Sequence, residues 1–515
     1  MKKLQYAIVA LCFCACADDL DQTNPNQLTT ANYWETPEQA LAGANAIYNS
    51  MLVDGAYMRI FPSLSDGRGD GVKADSPWAD LVQVSNFTIP TTSAPVQWVW
   101  RDSYLMIGRA NQVLANVPDI EMDAALKDRI LGQAHFLRGL AYFNLANNFK
   151  VVPLVTTPPA GTEDYNPETA PEDALWELIR NDFRAAADML PVNYRDVSGP
   201  DAGDLGRATK GAATGFLAKA ELYRQNWQAA ADGFAQLVTG PLAVYSLMPD
   251  YRDNFLQVNE NNAESLFEVQ FASPSEVGGA DMNWAGEPLA TWKQVSAQAV
   301  TYGADEYGYS DFLPTQWLYD AYKSERTVDG GVDPRLLTTL ASYEPEANST
   351  TIYGNEWPYA EDKIYPRKYT RDGFPGIANE FDFNSGINYR LMRYADVLLM
   401  YAEALNELGR TEEAYGYIQQ VRDRAKLPDL AEVHPNMTQG EMRERIAHER
   451  ALELALEGTR INDIIRWGWL YDGDKLAELQ AHDAEFTSWS PGNEYLPVPQ
   501  RELDVNPNLS PNSAN

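Results

Sequence analysis

With 515 residues the chain can bury a large core, and its length admits two or more domains. Its 40 Lys and Arg against 73 Asp and Glu give a net charge of −33, a field that repels phosphate backbones and argues against nucleic acid as a partner. Aromatic residues make up 11% of the chain, too many for a disordered acidic polypeptide.

Lys2 and Lys3 precede an apolar run over residues 4–13. The run is far too short to span a bilayer and has the form of a signal peptide, expected over 1–15. All three cysteines, Cys12, Cys14 and Cys16, lie at its end, so no disulfide framework or cysteine nucleophile is expected in the body of the chain. Cys12 and Cys14 follow the bulky Leu11 and Phe13, whereas Cys16 follows the small Ala15. Cys16 is therefore the expected acylation site of a lipoprotein, and the polar residues 16–30 a tether from lipid to domain.

Residues 37–53 predict a helix with Pro37 in its first turn, where the missing N–H costs nothing. Residues 54–95, punctuated by Gly55, Gly67, Gly69, Gly71, Pro77, Pro90 and Pro95, read as loops. Helical periodicity returns over 98–117, 126–149 and 171–190. Residues 207–238 read as a helical hairpin turning around Asn226. Between 240 and 387 the character changes: LFEVQF at 266–271 alternates as a strand, and the rest is a patchwork of Gly, Pro, Asn and aromatics. This is the expected insertion that carries the variable, ligand-facing part of the molecule.

In residues 388–425, Leu391, Tyr394, Leu398, Tyr401, Leu405 and Leu408 recur at steps of three and four, one face of a helix. Gly409 is the expected left-handed stop, and Thr411 the cap of a second helix carrying Ala414, Ile418, Val421 and Ala425. The two hairpins rhyme. Ala220-Glu221 echoes Ala402-Glu403, and Ala230 and Phe234 echo Ala414 and Ile418, with the first turn one residue shorter. Such a repeat predicts stacked tetratricopeptide-like hairpins in one mainly α domain, residues 31–515, with scaffold over 31–239 and 388–473.

RYADVLLMYAEALNELG at 393–409 and ERALELALEGTRINDIIRWG at 449–468 resemble the C-terminal half of SusD/RagB-like proteins. WRDSYLMIGRANQVL at 100–114, FLPTQWLYDAY at 312–322 with Asp333-Pro334-Arg335, and the tail YLPVPQREL at 495–503 extend the likeness nearly end to end. The resemblance implies a SusD-like α–α superhelix in a surface lipoprotein of the outer membrane, with Asp18, Asp19 and Asp21 similar to the export tag of such proteins. It further implies that the chain binds oligo- or polysaccharide nutrients for a SusC-like TonB-dependent transporter. Some relatives take a peptide instead.

Nothing points strongly to catalysis. The four histidines, His135, His434, His448 and His482, form no HExxH, and there is no Gly-rich phosphate loop and no GxSxG. A glycosidase carboxylate pair leaves no sequence spacing to read, so a surface glycosidase stays a rival. No cofactor is expected. The acidic loops 66–75 and 196–204 lack EF-hand spacing, so no metal site is expected either. A sugar ring packs its C–H face on Trp or Tyr while its hydroxyls need fixed donors and acceptors. Two loop regions combine the two: Asp66, Arg68, Asp70 and Trp78 in the first, and Asn283, Trp284, Trp292, Tyr302, Tyr307 and Tyr309 in the second. Trp98, Trp100, Trp176 and Trp227 fall on helical faces and are expected in the core.

Overall fold

The structure, a computed structural model, describes residues 33–273, 294–381 and 385–512. Cys16 and the tether lie outside the described residues. Helix α1 (Pro37–Asn49) begins in a capping box: the Thr36 side chain accepts from the Gln39 N–H, and the Gln39 side chain accepts from the Thr36 N–H. It ends earlier than the sequence suggests, tightening into a 3₁₀ turn over Ser50–Leu52. After the short α2 (Ile60–Asp66), the long helices α3 (Ala94–Asn116), α4 (Ala124–Phe149) and α5 (Glu172–Met189) fall within a few residues of their predicted bounds. The hairpin α6 (Lys210–Tyr223) and α7 (Trp227–Val238) follows, then α8 (Tyr394–Glu407), α9 (Thr411–Arg424), α10 (Gln439–Glu453) and α11 (Arg460–Arg466).

Each helix from α3 to α7 packs on the next, and α7 then packs on α8, joining two halves that are far apart in sequence. Ala230, Phe234, Ala414 and Ile418 are all fully buried, so the repeated small and large residues belong to one hydrophobic core. Gly233 permits a close approach of α7 to α6, since a Cβ there would lie 2.8 Å from the Ala218 Cβ. The two turns are equal in length, not one residue different. They are Arg224-Gln225-Asn226 and Leu408-Gly409-Arg410, with a left-handed residue in the middle of each, Gln225 at φ 59° and Gly409 at φ 75°.

Among the described residues four two-stranded antiparallel sheets complete the fold: β1 (Val72–Ala74) with β3 (Phe312–Pro314), β2 (Ser265–Val269) with β8 (Tyr389–Arg393), β4 (Leu340–Ser342) with β7 (Ile364–Pro366), and β5 (Thr351–Ile352) with β6 (Asn355–Glu356). Pairing with β2 overrides the helical period at Leu391, which lies in β8. Thr411 is the first residue of α9 rather than its cap, and its hydroxyl donates to Asn406 Oδ1 at 2.7 Å. Trp100 and Trp176 are buried as expected, but Trp98 and Trp227 are only half-buried.

A buried ionic knot joins the sheets to the hairpins. Arg393, at the end of β8, donates to Glu264 (2.5 Å), Glu453 (3.0 Å) and Glu457 (2.7 and 2.8 Å). Arg424 of α9 binds Glu453 and Glu264, and Lys368 binds Glu457 at 2.9 Å, so three cations face three carboxylates out of water. Removing one charge from such a site leaves its partners desolvated and unpaired. Arg393→Met should therefore cost about 3–5 kcal/mol of unfolding free energy, measured by denaturant titration. Combining it with Glu457→Gln should recover part of that loss.

Candidate ligand-binding face

The β1–β3 pairing carries the end of the loop before Trp78 onto the strand that follows Tyr309. The Asp75 N–H donates to the Asp311 carbonyl at 2.9 Å, the Ser76 hydroxyl to Asp311 Oδ1 at 2.5 Å, and the Trp78 N–H to Ser76 Oγ at 3.1 Å. The Trp78 indole is held in plane by three partners. Its Nε1 donates to Asp80 Oδ2 at 2.9 Å, its ring lies 5.8 Å from that of Trp98, and the Arg59 guanidinium sits 5.5 Å from its centroid. Arg59 is itself fixed by a two-pronged pair with the buried Asp54, at 2.9 and 2.8 Å.

Arg59 also connects Trp78 to Tyr309. Burial raises the Asp311 carboxyl above its ordinary range, with the Ser76 hydrogen bond and the Arg59 charge opposing it. Burial likewise raises the Tyr309 hydroxyl, with Asp311 adding to the shift and Arg59 opposing it. The Tyr309 ring lies 6.0 Å from that of Phe381, and these two residues stand 40% and 42% exposed. Large apolar side chains grouped at a surface in this way mark an interaction site more often than a lone one does. Beside them Tyr307 stacks on Tyr353 at 4.7 Å and 13°, close to a half-buried group of Trp357 and Tyr359, where the Tyr359 hydroxyl donates to the Asp305 carbonyl. Together the half-buried Trp78 and Trp98 and the exposed Tyr309 and Phe381 make a ledge of aromatic surface, with Asp80 on its edge and Arg59 and Asp311 buried behind it.

Of the residues expected here from the sequence, Trp78, Tyr307 and Tyr309 come together. Asn283, Trp284 and Trp292 lie outside the described residues. The flanks of that segment meet: the Ala272 N–H donates to the Gln294 carbonyl at 2.6 Å, and the Ala297 N–H to that of Met58 at 3.0 Å, one residue from Arg59.

Asp66, Arg68, Asp70 and Tyr302 require correction, because all four are buried in the scaffold. Asp66 accepts from the Tyr302 hydroxyl and the Gly458 N–H, both at 2.8 Å. Arg68 donates to the Leu64 and Glu494 carbonyls and to Asn148. Asp70 binds Arg460 at 2.5 and 2.8 Å and His482 at 2.8 Å. A loop rich in Gly and Asp reads as solvated; this one instead runs inward and meets partners almost four hundred residues away. Phe381, Arg59 and Asp311 were not singled out from the sequence, although Phe381 follows the same pattern of an aromatic among Asn, Asp and Gly.

The SusD family profile matches residues 263–514, and a second profile, described as starch-binding associating with outer membrane, matches residues 66–222. The chain belongs to the SusD family. A SusD-like protein of Formosa agariphila is 28% identical over 528 residues, covering 99% of each chain. Among solved structures, a SusD superfamily protein from Bacteroides vulgatus is 27% identical with a TM-score of 0.80, covering 93% of this chain and 99% of its own. A laminarin binding SusD-like protein is also 27% identical, with a TM-score of 0.76 and coverage of 94% and 100%.

In this SusD-family chain the buried carboxylates give the scaffold a pH signature of its own. Burial pushes the Asp66 carboxyl up to about 6, with the Tyr302 and Gly458 hydrogen bonds opposing the shift. A carboxyl raised above its unfolded value is stabilising below that value, and the contribution is lost as pH rises through the folded value. The stability of the wild type relative to Asp66→Asn should therefore fall by about 2–3 kcal/mol between roughly pH 4 and 6, and stay flat above. Chemical denaturation at a series of pH values reads this directly.

Proposed function

We propose that this chain captures an oligo- or polysaccharide on the ledge of Trp78, Tyr309 and Phe381 at the cell surface and does not cleave it. The observation that carries the reading is the ledge itself: the exposed rings of Tyr309 and Phe381 and the half-buried Trp78, with Asp80 on its indole edge and the buried Arg59 and Asp311 behind. Each hexopyranose offers an apolar C–H face to the rings and hydroxyls to the polar edge. The similarity to a laminarin binding SusD-like protein supports the saccharide class. Binding without turnover fits the engagement of the histidines: His135 with Asp182, His448 with Glu325 and His482 with Asp70. Trp284, Trp292 and Asn283 are proposed as further contacts, since the segment that holds them is flanked by residues paired next to Arg59.

A saccharide array run beside an oligopeptide array tests the class. Retention of peptides alone would replace this reading with the peptide-binding one. Tyr309→Ala and Trp78→Ala should each weaken the retained saccharide by about 2 kcal/mol, with the Tm of Tyr309→Ala unchanged. A reducing-end assay on the bound saccharide should detect no new ends, which separates a binder from a glycosidase.

Capture alone delivers nothing inward. Among the described residues no helix is long and apolar enough to cross a membrane. We infer a TonB-dependent barrel of the SusC type as the transporter, with this domain held beside it by lipid on Cys16. A C-terminally tagged chain extracted in mild detergent should bring down such a barrel in equal amount, and Cys16→Ala should leave the membrane fraction. Recovery of the tagged chain alone under several detergents would contradict the pairing.

A further inference from the structure

Away from the ledge, a cleft of about 400 Å³ opens between α7, α8, α10 and α11, lined among others by Gln225, Trp227, Glu403, Arg443, Arg466 and Trp467. We propose that it is a second saccharide subsite with Trp227 as its platform. The proposal rests on the reading above that the ligand is a saccharide. The size falls within the roughly 300–1,000 Å³ of small-ligand pockets.

The charges lining the cleft are matched internally. Arg466 forms a two-pronged pair with Glu403, Arg443 with Glu407 at 2.6 and 2.7 Å, and Lys475 with Glu444 at 2.6 Å. The Trp467 Nε1 donates to Glu403 Oε1 at 2.9 Å. No ion is left over to select a charged ligand; what remains are planar donors and acceptors in fixed orientation, which suit a neutral polyol. Trp467 and Trp469 are already covered, the first by Arg466 at 4.7 Å, the second by Lys475 at 4.5 Å and Arg460 at 5.1 Å. Trp227 is different. One part of its surface packs against the hydrophobic core and another lines the cleft, and among the described residues no ring, cation or hydrogen-bond partner covers its indole.

The internal repeat supplies an independent argument. The turns of the two hairpins are three residues each with a left-handed middle, so counted from the turn Gln225 corresponds to Gly409 and Trp227 to Thr411. The middle position is left-handed in both, which favours glycine and disfavours a side chain. The first hairpin nevertheless carries a carboxamide there and an indole two residues on, and both line the cleft. A turn whose middle position favours glycine has thus placed a hydroxyl-binding carboxamide beside an indole that lines the same cleft.

The test uses the full chain and a panel of soluble starch, laminarin, xylan and pectin in affinity electrophoresis, followed by calorimetry with a hexasaccharide of whichever polymer retards it. The wild type should bind at two sites. Trp227→Ala should leave one site and Trp227→Phe two, while Trp227→Ala with Tyr309→Ala should abolish retardation. Gln225→Gly restores the residue of the other hairpin, so it should keep or raise the Tm while weakening the second site at least threefold. That variant preserves the test if Trp227→Ala fails to fold. A single site in the wild type, or two sites unaltered in Trp227→Ala and Gln225→Gly, overturns this inference and leaves the ledge standing. Retardation by no polymer overturns both.

Discussion

The position of Arg393 governs most of what this structure can do. Its guanidinium is fully out of water and touches three carboxylates from two separate segments, Glu264 just before β2 and Glu453 and Glu457 at and just after the end of α10. Taking six charges out of solvent is costly, and a well-packed apolar cluster of equal volume would hold the chain at least as firmly. What an apolar cluster would not supply is direction. A fork-shaped cation with matched carboxylates admits one register of β8 against β2 and one seat for α10. The insertion between the two helical halves is thereby set at a fixed angle to the hairpins, and the strand following it runs straight into α8.

A second group of ions does the same for the N-terminal loop. Asp70 is gripped by Arg460 and His482, and Asp66 by Tyr302 and Gly458, so the loop after α2 is stapled to the C-terminal quarter of the chain. From that root β1 passes the loop on to β3, and Trp78 and Tyr309 emerge a few residues beyond the pairing. The ledge therefore has rigid footings on both sides although its tips are loops. Preorganisation of this kind lowers the entropy that binding must overcome, which matters for a ligand whose individual contacts are weak.

Much of the fold was legible in the sequence because long amphipathic helices leave a strong period. Residues 126–149 and 171–190 were recovered nearly to the residue, and the echoing Ala230, Phe234, Ala414 and Ile418 all lie in the core. Leu391 was misread because it continues a helical spacing by coincidence, and only its pairing with β2 shows otherwise. The site was less legible for a physical reason. Asp66, Arg68 and Asp70 look like solvated loop residues, and nothing local reveals that Arg460, His482 and Asn148 will meet them in the interior. The same limit hid Asp311, which meets Ser76 from 235 residues away, and Arg59, whose place over the Trp78 ring only the folded chain reveals. Trp227 is an intermediate case: its helical spacing suggested core, and at the first residue of α7 it packs against the core with part of its ring while the rest lines the cleft.

The central claim, that rigid ionic footings hold an aromatic ledge in its binding-ready form, is tested most directly by crystal structures of the chain free and bound to a hexasaccharide of its polymer. The account predicts a sugar ring packed on Tyr309 and Phe381 with hydroxyls reaching the Trp78 edge, and Cα positions from Trp78 to Asp80 and at Tyr309 unmoved by more than about 1 Å. A saccharide bound with Trp78, Tyr309 and Phe381 all unoccupied would contradict it, as would a ledge that assembles only once the ligand is present.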